Sequence, residues 1–383
     1  MTVEFLPRPE LWSLDPRALH LNHGSYGAVP RRTQHVAGGL RSEMESNPMA
    51  WFRGLPERLA ASRRRLAEYL GADPDGFALV PNASAGVTVA LSAVPIAPGE
   101  RIVLTDHAYG AVRYAAERAG TLRGAEVVTV PVPLEADDDE LLAAVADALD
   151  DRTAVVVIDQ ISSATARVFP VDRVARLCRD ADVPVIVDGA HAPGLIDQPI
   201  VDGADFWTGN FHKWPCAPRG TAGLFVAERW RDRTKPLITS WAEYDELPAR
   251  FDQQGTGDYV PWLAAPTSLE VLEALDWPRR RSWLTTMLTE ASTIVAKALG
   301  TSLPDVTTPA PTMRLVELPA SVAVTSESER AALAAQASER IGAELAITAF
   351  GGRLFVRLSA HAYNSFRDYE LLAERLPTLL REG

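Results

Sequence analysis

Short apolar segments alternate with helical segments through the middle of the chain. Strands are predicted at 77–80, 102–104, 126–132, 154–158, 183–187, 204–207 and 220–226, and the helices between them at 87–94, 111–120, 139–149 and 171–180. Parallel strands need crossover connections, which are usually helices, and strands that are buried on both faces are apolar throughout. The alternation therefore predicts an α/β chain with a mostly parallel sheet of the seven-stranded type, flanked by helices on both faces.

The C-terminal third has a different pattern. Two long helical stretches at 264–276 and 278–300 precede strands at 312–318, 344–349 and 353–358, and helices at 326–342 and 366–382. Residues 1–20 show little periodicity and are expected to form an irregular arm. We therefore expect a large domain at 21–265, and a smaller α+β domain made of residues 266–383 together with the N-terminal arm at 1–20.

Composition excludes several classes of function. The net charge is −12 and the basic residues are scattered, so a nucleic-acid partner is not expected. No apolar run approaches the roughly 20 residues of a membrane span, and no signal peptide is predicted. Two cysteines make no disulfide framework, which favours a cytoplasmic setting. No metal site is predicted.

Two charged residues follow neighbouring predicted strands. The strand at 183–187 leads directly into Asp188, and the strand at 204–207 precedes Lys213 by a few residues. A lysine can form a Schiff base with a carbonyl cofactor, and a carboxylate can keep a pyridine nitrogen protonated. This combination is the one by which proteins use pyridoxal 5'-phosphate (PLP) as an electron sink.

A third feature is a turn of small residues that joins the strand at 77–80 to the helix at 87–94. Ala83, Ser84 and Ala85 lie in this turn, and their small side chains leave the backbone open to a phosphate group. The free N–H groups and the dipole at a helix N-terminus favour an anion at that position. A phosphate site at these three residues is therefore expected.

Several longer segments carry a resemblance to a known family. They are 21–27 (LNHGSYG), 81–87 (PNASAGV), 105–111 (TDHAYGA), 187–191 (VDGAH), 210–218 (NFHKWPCAP), 255–256 (GT), 261–263 (PWL) and 356–359 (VRLS). In this order they resemble the class V aminotransferase family of PLP enzymes, which has fold type I, across almost the whole chain. The similarity is greatest to the isopenicillin N epimerase branch and to the cysteine desulfurase-like members.

The resemblance implies roles for residues around the cofactor. It implies that Tyr109, or alternatively His107, stacks on the pyridine ring. It implies that Ser163 and His191 lie near the phenolic oxygen. The residues implied at phosphate groups are Asn210, His212 and, on the cofactor of a neighbouring subunit, Thr256. A homodimer with shared active sites is thus expected.

The resemblance also implies residues for an amino-acid substrate. Asn22, His23 and Tyr26 lie in a loop that the family places at the mouth of the active site, and Arg357 matches the residue that holds the α-carboxylate. An arginine suits that role because its planar guanidinium can bind both carboxylate oxygens. The chain departs from the branch at Gly257, where an arginine is common, so the substrate of the branch does not transfer directly.

The reaction itself is less constrained. A PLP enzyme that acts at Cα can catalyse epimerisation, β-elimination or transamination. No cysteine follows Cys216, so the thiolate that cysteine desulfurases of the family use is missing, and Cys216 is expected to be a small buried residue. The leading expectation is a C–S lyase that acts on an S-substituted cysteine of specialised metabolism. An epimerase or an aminotransferase is the alternative, followed by a decarboxylating or oxidative variant and by a non-catalytic protein of this fold.

Overall fold

A computed structural model describes residues 5–382. Its strands are β1 Leu19–His20, β2 Phe77–Val80, β3 Arg101–Thr105, β4 Glu126–Val130, β5 Thr153–Asp159, β6 Val185–Asp188, β7 Phe206–Asn210, β8 Ala222–Val226, β9 Met313–Glu317, β10 Ala343–Glu344, β11 Ala346–Phe350 and β12 Arg353–Ser359. Its α-helices are α1 His23–Tyr26, α2 Arg31–Ser46, α3 Pro48–Leu70, α4 Ala83–Ala93, α5 Gly110–Arg123, α6 Asp138–Ala148, α7 Val171–Asp180, α8 Ala249–Asp252, α9 Val260–Ala274, α10 Trp277–Leu299, α11 Glu327–Ile341 and α12 Phe366–Glu382.

Seven strands form the central sheet, in the order β2-β8-β7-β6-β5-β3-β4. The pairs from β7 to β4 are all parallel, and only β8 runs antiparallel to its two neighbours. Strands β2, β6 and β7 are buried along their whole length, as a sheet covered on both faces requires. The predicted fold class, with a mostly parallel sheet flanked by helices, is confirmed.

Two hydrophobic cores cover the two faces of this sheet. One joins α3, α6 and α7 to side chains such as Val156, Val187 and Trp207, and the other joins α4 and α5 to Val157, Ile186 and others. Successive strand residues alternate between these cores because side chains of a strand point to opposite faces. The sheet is thereby held rigidly, and its carboxyl edge is left for loops.

Side-chain caps by Asn82 and Asn47 explain two of the predicted helix starts that are wrong. Helix α4 begins at Ala83 rather than 87, because the Asn82 side chain accepts a hydrogen bond from the Ala85 N–H and caps the helix. The spacing of leucines also predicts a helix at 55–71, but helix α3 begins at Pro48, where Asn47 caps it in the same way. The turn of small residues is therefore the first turn of α4 itself.

The C-terminal part has its own antiparallel sheet, β11-β12-β9, packed on α10 and α11. Its hydrophobic core also includes Trp12 and Leu19 from the N-terminal arm, and β1 pairs with β10 in parallel. The arm therefore contributes a short strand and core side chains, although it was expected to be irregular. The division into two domains stays a prediction.

Within residues 5–382, no helix combines the length and the apolar composition that crossing a lipid bilayer requires.

Candidate active site

A pocket of about 270 Å³ lies at the carboxyl ends of β5, β6 and β7. This is the edge of an α/β sheet at which ligands usually bind. It is lined by Ser25, Tyr26, Asn82, Ala83, Ser84, Tyr109, Asp159, Ile161, Ser163, Asp188, Ala190, His191, Asn210, His212 and Lys213. The predicted site residues that do not line it are Asn22, His23, Ala85, Thr256 and Arg357.

Lys213 projects its amine into the pocket from the loop that follows β7. Its Nζ lies 2.8 Å from Nε2 of His191. Burial lowers the pKa of Lys213 to about 7, and the positive charge of Arg357 adds to this effect against the attraction of nearby acids. Burial also lowers the pKa of His191 well below its usual value, so the imidazole is neutral. The lysine is thus partly a free amine near neutral pH.

Asp188 ends β6 and Asp159 ends β5, and the two are direct neighbours in the parallel register. The Asp188 carboxylate accepts a hydrogen bond of 2.9 Å from the Ala190 N–H. Burial raises the pKa of both acids, and that of Asp159 is raised further by the charge of Asp188. Asp188 was predicted from the sequence and Asp159 was not, although Asp159 also ends an apolar strand.

The N-terminus of α4 forms another wall of the pocket. The Ala83 N–H donates to Oδ1 of Asn210 at 2.9 Å, which fixes this helix end against the end of β7. Ser84 lines the pocket beside it, whereas the Ala85 N–H is taken up by the Asn82 cap at 2.9 Å. His212 donates from Nδ1 to the Thr221 carbonyl oxygen at 2.9 Å, and burial lowers its pKa to about 4.

The two candidates for ring stacking are placed differently. Tyr109 lines the pocket and is half exposed. His107 is buried below the pocket, where its Nε2 donates to the Val132 carbonyl oxygen and its Nδ1 lies 2.8 Å from the hydroxyl oxygen of Thr165. His107 does not line the pocket and its ring packs against Phe169 and Phe350, so the geometry favours Tyr109.

Arg357 reaches the edge of the pocket from β12. Its Nη1 donates to the carbonyl oxygen and the hydroxyl oxygen of Ser163, at 2.6 and 2.9 Å, and its Nη2 donates to Oγ of Ser25 at 3.1 Å and Oδ1 of Asn22 at 3.3 Å. Burial lowers its pKa to about 10. No carboxylate among residues 5–382 forms an ion pair with it, and its Nε has no partner there. A buried guanidinium without a counter-ion favours an anionic ligand.

His23 faces away from the pocket, into a buried cluster behind Lys213. Its Nε2 donates to the Lys213 carbonyl oxygen at 3.1 Å, and its Nδ1 accepts from the Tyr363 hydroxyl at 2.8 Å. Its ring stacks on His361, whose Nε2 donates to the Trp214 carbonyl oxygen at 3.1 Å. This arrangement leaves no ring nitrogen of His23 for a substrate in the pocket and makes it a support of the lysine loop.

Cys216 belongs to the same cluster and is completely buried. Its Sγ lies 3.5 Å from Nε2 of His361, and burial raises the pKa of its thiol. Neither Cys216 nor the buried Cys178 lines the pocket. The structure therefore offers no thiolate at this site.

The remaining predicted residues lie on the surface. Tyr26 is 73% exposed at the mouth of the pocket. Thr256 is exposed and outside the pocket, and beyond Gly257 the side chain of Asp258 pairs with Arg41 at 2.9 Å. The nearby segment at 237–244 exposes Trp241 and Tyr244 at 96% and 94%.

Five residues that line the pocket were not predicted: Ser25, Asn82, Asp159, Ile161 and Ala190. Asn82 and Ser25 flank predicted residues, so the motifs contained them without singling them out. Asp159 follows an apolar strand in the sequence, as Asp188 does, so the same pattern could have predicted it. That β5 and β6 are adjacent, however, follows only from the strand order.

Comparison with known proteins agrees with this architecture. The family model for aminotransferase class V matches residues 54–372. An isopenicillin N epimerase of Streptomyces clavuligerus is 30% identical over 391 aligned residues, which cover 96% of each chain. A probable chloroplastic L-cysteine desulfhydrase of Arabidopsis thaliana is 26% identical, over 96% of this chain and 84% of that protein.

Solved structures share the fold at lower identity. A C-DES mutant with glycine covalently linked to the PLP cofactor has a TM-score of 0.82 and 19% identity, and the match covers 97% of this chain and 99% of that one. The predicted family is thus confirmed by the family model and by a relative of nearly equal length. The chain belongs to the aminotransferase class V family.

Proposed function

We propose that this protein is a PLP-dependent enzyme that acts at Cα and Cβ of an amino acid, and that it is a C–S lyase. The observation that carries the proposal is the buried amine of Lys213, whose pKa is lowered to about 7, in a pocket that also holds Asp188. A lysine that is partly deprotonated near neutral pH is the nucleophile that Schiff-base formation requires.

The residues present fit PLP. Lys213 would hold its aldehyde carbon, Asp188 its ring nitrogen, and the N-terminus of α4 with Asn210 its phosphate. Nδ1 of His191 is buried and has no partner among the described residues, so it is available for the phenolic oxygen. Tyr109 would cover one face of the ring, as aromatic side chains do for flat ligands.

Bound at Lys213, PLP would supply an electron sink for negative charge at Cα. Side chains of the protein would orient the substrate and transfer the proton. Arg357, held by Ser163 and Ser25, would orient the substrate through its α-carboxylate. The Lys213 amine, once free, would take the Cα proton, and a pKa of about 7 allows it to accept and return that proton at neutral pH.

Two observations favour elimination. The pocket contains no thiol, so sulfur cannot be passed to a cysteine at this site, and a β-elimination needs no such acceptor. A relative that covers nearly the whole chain is a probable L-cysteine desulfhydrase. An S-substituted cysteine of specialised metabolism is the proposed substrate.

Epimerisation is the second candidate. It is favoured by the 30% identity to an isopenicillin N epimerase over 96% of the chain. An epimerase would use the same lysine and the same carboxylate-binding arginine, and it would return a proton to Cα instead of losing a group from Cβ.

The experiment is incubation of the PLP-loaded protein with S-substituted cysteines in deuterated water, with products read by mass spectrometry. Release of a thiol with pyruvate would support the lyase. Intact substrate that carries deuterium at Cα would contradict it and favour the epimerase. We expect Lys213→Ala to form neither product. Lys297→Ala, at an exposed site on α10, serves as its control and should keep the activity of the unaltered protein.

We further propose that the protein is a homodimer with shared active sites. The exposed aromatic side chains of Trp241 and Tyr244 support an interface, because aromatic residues are enriched where proteins bind each other. Thr256 is exposed as well, so a neighbouring subunit can contact it. The two-domain division and the cytoplasmic setting likewise stay predictions.

A further inference from the structure

Asp159 and Asp188 form a pair of carboxyl groups at the floor of the pocket. They are the last residues of adjacent parallel strands and are partners in the register. Register partners in a sheet point to the same face, and neighbouring strands are roughly 5 Å apart. Both side chains are 3% exposed and both line the pocket.

Two buried carboxylates at this spacing cannot both be ionised without a large cost, so such pairs tend to share one proton. Asp188 accepts the Ala190 N–H at 2.9 Å, and this hydrogen bond stabilises its ionised form. The pKa of Asp159 is raised well above its usual value by burial first and then by the charge of Asp188. Both observations favour Asp159 as the acid that keeps the shared proton.

The charged groups around the pair are few. Lys213 lies close enough to favour ionisation of both acids. Arg357 disfavours a positive charge on Lys213 and on His191. The α4 wall contributes the uncharged Asn82 and Ser84. While Lys213 is protonated, one negative charge on the pair therefore faces one positive charge on the lysine.

We propose that Asp159 is a second acid of the ring-nitrogen site, which as a neutral carboxylic acid donates a hydrogen bond to the Asp188 carboxylate. This bond makes Asp188 a weaker base, so that the proton stays on the ring nitrogen of the cofactor. Asp159 is a positioning residue in this scheme and acts through Asp188. The inference rests on the proposed function, because it requires PLP.

The test compares two variants of Asp159 in the apoprotein. Asp159→Asn keeps a hydrogen-bond donor and cannot ionise, whereas Asp159→Leu has a similar volume and no donor. The readout is the ratio of the affinities for PLP and for 1-deazapyridoxal phosphate, which has a carbon in place of the ring nitrogen. Asp188→Asn is the reference for a lost ring-nitrogen contact, and Asp147→Asn, at an exposed site on α6, is the control.

We expect the unaltered protein to prefer PLP over the analogue. Asp159→Asn should keep this ratio within about threefold, and Asp159→Leu should reduce it about tenfold, which is the loss expected for one buried hydrogen bond to a charged group. At alkaline pH the ratio of the unaltered protein should change as Asp159 ionises, while that of Asp159→Asn should not.

Three results would overturn the inference. An unchanged ratio in Asp159→Leu would show that the donor has no effect on the ring nitrogen. A ratio in Asp159→Asn as low as that of Asp188→Asn would show that Asp159 acts in its ionised form, and this variant decides alone if Asp159→Leu does not fold. Failure of the unaltered protein to bind PLP would overturn the proposed function and this inference with it.

Discussion

The Nζ atom of Lys213 lies 2.8 Å from Nε2 of His191, and both groups have lowered pKa values. Burial disfavours a positive charge on either side chain, and a charge on one disfavours a charge on the other. The pair therefore carries at most one proton in excess of the neutral forms. The free energy of unfolding of the apoprotein should therefore depend on pH.

Lys213→Met should stabilise the apoprotein at pH 6. The lysine has a pKa of 10.5 when unfolded and about 7 when folded, so both states are protonated at pH 6 and folding must bury the charge. Between pH 7 and pH 10.5 the unfolded state binds more protons, and the stability of the unaltered protein rises with pH. We expect a gain of roughly 5 kcal/mol at pH 6 that has largely disappeared near pH 10.5, measured by urea unfolding. Lys297→Met should show no such gain, and a gain that is independent of pH would contradict the assignment.

Lys213→Arg should abolish turnover, by at least about 10³-fold, while weak binding of PLP remains. The guanidinium keeps a positive charge but does not form the Schiff base. Single-turnover assays with the PLP-loaded variant measure this, and borohydride reduction followed by peptide mapping locates the attachment in the unaltered protein. Attachment at Lys235 or Lys297 would refute the role of Lys213.

Arg357→Leu should raise KM about 10- to 100-fold with a smaller effect on kcat, because it removes the proposed charged partner of the substrate carboxylate. Arg353→Leu is the matched control on the same strand. Arg353 pairs with Glu317 at 2.8 Å at a partly exposed site, so its loss should leave KM unchanged. Equal effects of the two variants on KM would mean that the carboxylate binds elsewhere.

Asp188→Asn should weaken PLP binding about 10- to 100-fold, since an amide does not match a protonated ring nitrogen as a carboxylate does. Equilibrium dialysis of the apoprotein against PLP gives the affinity directly. Normal affinity together with normal turnover would assign the ring nitrogen to another group.

Mixed dimers should test whether Thr256 acts across subunits. The Lys213→Ala and Thr256→Val homodimers should each have reduced activity when PLP is limiting. If Thr256 serves the partner's site, one site of each mixed dimer has both residues intact, and random pairing should restore about a quarter of the full activity. If Thr256 serves its own subunit, mixing restores nothing.

The sequence predicted the sheet and the site for a common reason. Apolar strands buried on both faces are visible as short runs of valine and isoleucine, and in a parallel sheet their last residues meet at one edge. Asp188 and Lys213 could therefore be placed together before the structure was known. The first turn of α4 could not, because the choice between a loop and a helix depended on the cap by Asn82.

The orientation of side chains within loops was the part that the sequence could not predict. Asn22, His23 and Tyr26 lie within five residues and were expected to face a substrate together. The structure separates them: Asn22 binds Arg357, His23 supports the lysine loop, and Tyr26 is open to solvent. These directions are set by the C-terminal residues that pack against the loop, which are distant in sequence.

The contacts that support the Lys213 loop join residues that are synthesised at very different times. His23 holds the lysine's carbonyl oxygen and is itself bound by Tyr363, which comes 340 residues later. The seven strands of the central sheet leave the ribosome well before that tyrosine, so the sheet can form while the lysine loop still lacks its support. A nascent chain that has not reached β12 has the lysine but neither Arg357 nor Tyr363. The site therefore becomes complete only after Tyr363 has been synthesised and has reached the lysine loop.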